Sequence, residues 1–347
     1  MRRVFFPLDH QLGVHEKHWS EAVAREAVWL YGQVEDDLAE QILQKIGGWS
    51  ISDTSIWRRA QKWGEQMQVA EQVRATAAVG WPQRGEIIRG TVPHERPMGT
   101  ALDGGMIHVR NEGWKELKVG TVFNTESRLE HNPLTQAWEP QAHAIETSYV
   151  AVLGGPVTFG PRLWAEAVER RFPEAGDRIA LGDGAAWIWN LVGEHFSGTR
   201  QVVDWYHAKE HLSNAGAQLY GEGTAEAHRW VKQREKRLYQ GHADSLAAEL
   251  TEQARTHRRV AAVLRKEAGY FRTNARRMQY LETREDGFPI GSGMVESGIK
   301  QFRARFTGPG MRWNRTGAER LLPVRAAILS HRFDRVWRSV YGKLPLN

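Results

Sequence analysis

Strand-forming signals in this chain fall in one window, residues 100–204, and the sequence on both sides of it reads as helix. A chain patterned this way builds one sheet and must cover its faces with helices. The first signal begins at TALD, residues 100–103. A second spans 117–123, with Leu117, Val119, Thr121 and Phe123 on one face, and a third spans 147–153. Pro161 is expected to open a helix running through Arg171. Residues 179–183, IALGD, read as a short buried strand leading into a glycine turn and an aromatic helix over 187–196. Residues 201–204 read as another short strand, again followed by a helix. Three strands in a meander and then strand–helix alternation predict an α/β fold, a mixed sheet flanked by helices.

Residues 20–75 are helical in pattern. Ser20 is placed to cap a helix through about Tyr31, and Leu38, Ile42 and Ile46 recur at helical spacing in a second, which Gly47 and Gly48 stop. Asp53 is the expected N-cap of a third, which should bury Ile56, Ala60, Trp63 and Met67 and turn Arg58, Arg59 and Lys62 outward. Two helices around a glycine-containing turn, the second basic, is the pattern of a helix-turn-helix, and equally of a plain helical hairpin. Pro82, Pro93 and Pro97 mark a linker. Residues 209–284 are polar and helix-forming with no strand signal, an insertion that DGFP ends at 286–289; IGSG at 290–293 then opens a helix holding Glu296. The expected divisions are 1–79 for the N-terminal helical region, 80–97 for the linker, 98–211 for the first part of the core, 212–286 for the helical insertion and 287–340 for the closing helices.

Composition narrows the chemistry. With no cysteine there is neither a disulfide framework nor a thiolate zinc site, so a metal would have to sit on carboxylates or histidines. No apolar run approaches the roughly 20 residues of a membrane span; the expectation is a cytoplasmic, nucleoid-associated protein with no membrane partner. The net charge of +6 hides an asymmetry: residues 1–224 carry 22 Lys and Arg against 29 Asp and Glu, and residues 225–340 carry 24 against 12. A basic C-terminal third of that size suits a polyanion such as DNA, though a solvated helical face would look the same. Fifteen tryptophans are many, and some stand beside arginines, as Trp57 beside Arg58 and Trp313 beside Arg312, where stacking on bases is possible.

Three carboxylates stand at strand or loop ends beside small residues. Asp103 precedes Gly104 and Gly105, Asp183 precedes Gly184, and Glu296 follows Gly291, Ser292 and Gly293. Each alone is commonly a turn residue or cap. Brought together by a sheet and a crossing helix, they make an oxygen-ligand site for Mg²⁺ or Mn²⁺, and two such ions about 3.5–4 Å apart can activate a nucleophile and stabilise the leaving oxygen of a phosphodiester. His207 and His211 have the i, i+4 spacing of two ligands on a helix, but Glu210 is misplaced for a zinc-protease motif and structural or supporting histidines are the better reading. Lys300, Arg303 and Arg305 follow Glu296 on the same segment as candidate phosphate contacts, and Arg312 with Trp313 as a candidate hold on a distorted or unpaired base.

The segments LGDGAAWIWNLVGEHFSGTRQVVDWYHAKEHL and PIGSGMVESGIKQFRARFTGPGMRW, with FFPLDHQLGV, SISDTSIWRRAQKWG and TALDGGMIHVR, closely resemble the Kra-type transposases of bacterial insertion sequences, DDE enzymes with an RNase H-like core that are distantly similar to Mutator-type transposases. The resemblance covers nearly the whole chain. It implies that Asp103, Asp183 and Glu296 are the catalytic triad holding two divalent ions, that Asp204 and His207 form a supporting motif, and that the helical stretch before Glu296 is an insertion domain. It implies cleavage and strand transfer at terminal inverted repeats by a homo-oligomer on DNA, into target DNA. Family members carry a cysteine-rich zinc ribbon ahead of the segment that begins at Phe5; for this cysteine-free sequence the expectation is a truncated product or a branch without the ribbon. The alternatives are an RNase H-like nuclease without strand transfer and an inactive, transposase-derived DNA-binding protein.

Overall fold

Strand β1 (Met98–Val109) has every residue from 98 to 102 buried, which requires a place inside a sheet covered on both faces. The computed structural model describes residues 19–79, 96–308 and 311–341, and puts β1 at the centre. Strand β2 (Gly113–Asn132) pairs with it antiparallel and β3 (Ala137–Leu153) pairs antiparallel with β2. On the other side β4 (Arg178–Gly182) runs parallel to β1, and β5 (Arg200–Val203) parallel to β4. Among the described residues this is one five-stranded sheet of order β3-β2-β1-β4-β5, the mixed arrangement of RNase H-like folds.

Helices α1 (Glu21–Gln33), α2 (Asp36–Gly47) and α3 (Asp53–Ala78) precede the sheet, α4 (Pro156–Glu169) follows β3, and α5 (Ala186–His195) joins β4 to β5. A run of helices follows: α6 (Trp205–Tyr220), α7 (Ala225–Tyr239), α8 (Ala243–Thr256), α9 (Ala261–Asn274) and α10 (Tyr280–Glu285). Helices α11 (Gly293–Phe306), α12 (Arg315–Leu329) and α13 (Phe333–Tyr341) close the chain. Helix α4 covers one face, with Phe159 and Leu163 against Gly120. Helix α11 covers β1 where a Cβ on Gly105 would come within 3.0 Å of Ile299, so glycine there sets how closely the helix approaches.

Several sequence-based expectations need correction. Strands β2 and β3 run well beyond 117–123 and 147–153, because past Asn124 they leave the covered sheet as a two-stranded arm whose exposed residues carry no apolar repeat. Helix α4 begins at Pro156, which loses no hydrogen bond at the first helical position, and Pro161 lies inside it. The cap of α3 is Ser52, with Asp53 already in the first turn. Helix α2 buries Ala39 and Leu43, while Leu38 and Ile46 face outward. Helix α6 runs unbroken through the expected division at 211/212. The linker at 80–97 lies outside the described residues except for Arg96 and Pro97, and so does the FFPLDHQLGV segment.

Helix α3 buries Ile56, Ala60, Trp63 and Met67, as its pattern predicts, and does so against the closing helices. The Trp63 ring lies 4.6 Å from Trp337 and 4.9 Å from Tyr341, and Gly64 sits against the main chain of Arg320. A second tie joins α11 to α1. Arg305 is 3% exposed, donates from Nε and Nη2 to the Tyr31 carbonyl at 3.0 and 2.9 Å, and lies over the rings of Tyr31 and Trp313. Trp313 is itself buried and donates from Nε1 to the Phe306 carbonyl at 3.1 Å. Both are therefore buried structural ties rather than exposed DNA contacts, with N–H groups that donate to main-chain carbonyls. Arg305→Ala is expected to lower unfolding free energy by about 2–4 kcal/mol, through an orphaned carbonyl and a cavity, as measured by urea unfolding.

Candidate active site

The strand registers place the acids. Strand β1 meets β4 at Ala101 opposite Leu181, and β4 meets β5 at Gly182 opposite Val203. Carrying both registers on by one or two residues sets Asp103, Asp183 and Asp204 in a row across three parallel strands. Asp183 and Asp204 lie just past the carboxyl ends of β4 and β5. Asp103, expected at a strand end, lies instead in the middle of β1, which runs on to Val109 paired with β2. Helix α11 crosses above and contributes Glu296 from its first turn; α6 starts at this edge and contributes His207.

Each acid is held by the main chain next to it. Asp103 accepts from the Gly104 N–H at 2.6 Å and Asp183 from the Ala185 N–H at 2.7 Å. Gly184, inside the Asp183 turn, has φ +101, a left-handed value that glycine adopts without strain. Asp204 is fully buried. One oxygen caps α6 by accepting from the His207 N–H at 2.8 Å, and the other accepts from the N–H of Ser292, the N-cap of α11. A single carboxylate thus ties together the two helix starts that carry His207 and Glu296. Ser292 Oγ also reaches Glu296 Oε1 at 3.5 Å.

Among the described residues, Asp204, His207 and Glu296 have candidate ligand atoms all within 4.8 Å of one another. Glu296 is common to this group and to the triad expected from the sequence; Asp103, inside β1, feels the charges of Asp183, His207 and Glu296. Burial pushes the Asp103 carboxyl up to about 6, the Gly104 N–H opposes this, and the Asp183 and Glu296 carboxylates add to it while His207 pulls it down. Crowded carboxylates beside an imidazole are a hard donor set that fits a divalent cation. Both Asp204 oxygens already accept main-chain N–H groups, so its first role is that of a tether.

The two histidines part company. His207 Nδ1 lies 3.3 Å from Glu210 at the site, whereas His211 is bonded to the buried Glu267 on α9 and stacks on Tyr270 with ring centroids 3.5 Å apart. Sequence reading missed Ser292, Glu267 and Tyr270, which lack a local signal because their partners lie far away in sequence. Of the candidate DNA contacts, Arg58, Lys300, Arg303 and Arg312 are exposed. Arg59 and Lys62 are half-buried rather than projecting, with Arg59 4.8 Å from the centre of the Trp19 ring and Lys62 beside Trp63. Glu296, Lys300 and Arg303 are four and three residues apart, so a cationic row leads out of the acidic site along one face of α11.

No protein-family model matches the chain, and no curated protein sequence matches it. Among solved structures it is similar to the Drosophila P element transposase strand transfer complex, at 11% identity over 97% of this chain and 84% of that chain, with a TM-score of 0.31. What the site does is therefore read from its own residues. No helix among the described residues is long and apolar enough to cross a membrane.

The raised Asp103 value has a thermodynamic sign. Between roughly pH 4 and 6 the folded state binds the proton that the unfolded state has released, so this group's contribution is fully present below about 4 and lost as pH rises through 6. Asp103→Asn should therefore raise the melting temperature in EDTA at pH 7.5, by at most about 3 kcal/mol in stability, and should give little gain at pH 4.5. Mn²⁺ should stabilise the wild type at pH 7.5 more than this variant. A thermal-shift series at the two pH values checks both expectations.

Proposed function

We propose that this chain is a DDE transposase, of the Kra-type insertion-sequence kind its motifs resemble, that cleaves DNA ends and joins them to target DNA. What supports the reading is that Asp103 on β1 feels the charges of Asp183, after β4, and of Glu296, on the crossing helix, beside the cationic row on α11. In this reading Asp103, Asp183 and Glu296 hold two divalent ions, Mg²⁺ or Mn²⁺, which when bound supply Lewis-acid polarisation of the phosphodiester and a more acidic nucleophile.

The chain's own residues do the positioning. Asp204 fixes the starts of α6 and α11, and so the attitude of His207 and Glu296. His207, with Glu210 on its Nδ1 side, supports the site as a polar wall. Lys300 and Arg303 take backbone phosphates next to the acids, and Arg312 and Arg58 extend the contact outward. Residues 20–75 grip the terminal repeats, residues 212–286 are the insertion before the last acid, and the protein works as a homo-oligomer on DNA.

Asp183→Asn and Glu296→Gln should each reduce Mg²⁺-dependent cleavage of the element's ends to background while DNA affinity measured in EDTA stays the same or rises slightly, because without metal the lost carboxylate only repelled the phosphate backbone. Cutting near the wild-type rate by either variant would overturn the triad. Joined products from a pre-cut end separate a transposase from a nuclease without strand transfer.

Replacing Lys300, Arg303, Arg312 or Arg58 by alanine should flatten the dependence of log affinity on log salt by about 0.7–0.9 for each phosphate that is no longer neutralised. A salt titration on specific and random duplexes reads this directly. An unchanged slope in every variant would remove this surface from the DNA path.

A further inference from the structure

The helical run between β5 and α11 touches the candidate site through one face of α9. Glu267 and Tyr270 are three residues apart on α9, and His211 and Asn214 are three apart on α6, so the two pairs face each other. Glu267 is 1% exposed; one oxygen meets His211 Nδ1 and the other accepts from Asn214 Nδ2 at 2.6 Å. The His211 ring lies flat on Tyr270, 21° from parallel. Tyr270 in turn donates its hydroxyl to the main-chain carbonyl of Asp183 at 3.0 Å and packs its ring against Gly184, where a Cβ would come within 2.9 Å of it.

We infer that Tyr270, seated by the His211–Glu267–Asn214 cluster, is a positioning residue that holds the Asp183 turn in its ligand-presenting shape, so that the helical insertion controls the quality of the metal site. This rests on the reading of Asp183 as a metal ligand. The turn has two braces. Asp183's own carboxylate closes it on the Ala185 N–H, and Tyr270 holds it by the Asp183 carbonyl and by its ring against Gly184. Without the second brace, left-handed Gly184 leaves the turn free to pivot, and the Asp183 carboxylate no longer arrives in one orientation. Burial raises the Tyr270 phenol well above its ordinary value, with the Asp183 and Asp204 carboxylates adding to it, so the hydroxyl stays a donor across the working range. For Glu267, burial raises the carboxyl, but the bonds from His211 and Asn214 outweigh it and leave the group below its usual range, ionised against His211.

The test is Mn²⁺ binding to the full chain, read from the electron paramagnetic resonance of free Mn²⁺ alongside the melting temperature. Tyr270→Phe keeps the ring that stacks on His211 and removes only the hydroxyl. It should weaken Mn²⁺ binding about 10-fold with a melting temperature near wild type. His211→Gln, which removes the plate beneath Tyr270, should weaken it in the same direction and carries the test should Tyr270→Phe fail to fold. Wild-type Mn²⁺ affinity in the folded variants, whether or not their melting temperatures fall, overturns the positioning role and leaves the metal reading standing. A wild-type protein that takes up no Mn²⁺ overturns the metal reading and this role together.

Discussion

A buried carboxylate with both oxygens on main-chain N–H groups organises this molecule. Asp204 leaves water completely, which is tolerable only because its charge is met at two helix starts, where N–H groups lack intrahelical partners and the helix dipole favours an anion. Its position is fixed in turn by the sheet, since its own N–H donates to the Gly182 carbonyl at 2.7 Å. The next residue, Trp205, donates to the Ile290 carbonyl at 2.8 Å, which draws the approach to α11 against the start of α6. Segments far apart in sequence are thereby brought to one point. Glu296 and His207 meet because of this tether.

The acidic row and the basic surface beside it are two halves of one electrostatic design. The raised proton affinity of Asp103 comes first from burial, with the Asp183 and Glu296 carboxylates adding to it. The lysine and arginines that follow Glu296 run outward along α11 or, in the case of Arg305, inward to Tyr31. Much of the basic excess of the C-terminal third has such an inward role. Arg234 and Arg237 share Glu249, Arg284 pairs with Glu139 and lies on the Tyr239 ring, and Arg332 meets Glu166 at 2.7 Å. Cations that look like a DNA-binding surface in composition are, in part, the fastenings between helices and sheet.

Local chemistry is enough to read part of this protein from its sequence alone. The strand window, the glycine-flanked acids Asp103 and Asp183, the start of α1 at Ser20 and the buried face of α3 all follow from alternation, capping and helical spacing, which are properties of neighbouring residues. The same reasoning misplaces what depends on packing. Leu38 and Ile46 repeat at helical spacing yet stay exposed, because α2 turns Ala39 and Leu43 to its neighbours. Arg305 and Trp313 look like DNA contacts until Arg305 meets Tyr31 of α1 and Trp313 packs on Phe306 and against Val109.

Which of the polar residues act together is a matter of packing. His207 and His211 are equivalent by spacing, but α6 lies between two partners, so its first turn faces the acids and its second meets Glu267 and Tyr270 of α9. That choice is set by long-range contacts, and such contacts leave no periodic mark in a sequence. Alternation and glycine placement are enough to pick out glycine-flanked acids on the strands, but not that Asp103 falls inside β1 or that side chains close in on the glycines beside Asp103 and Asp183. The seating of α6, α9 and α11 on the sheet selects which of those acids gather, which are braced and which cations are left to face outward, because burying each helix face against its neighbour dictates where every remaining polar side chain must go.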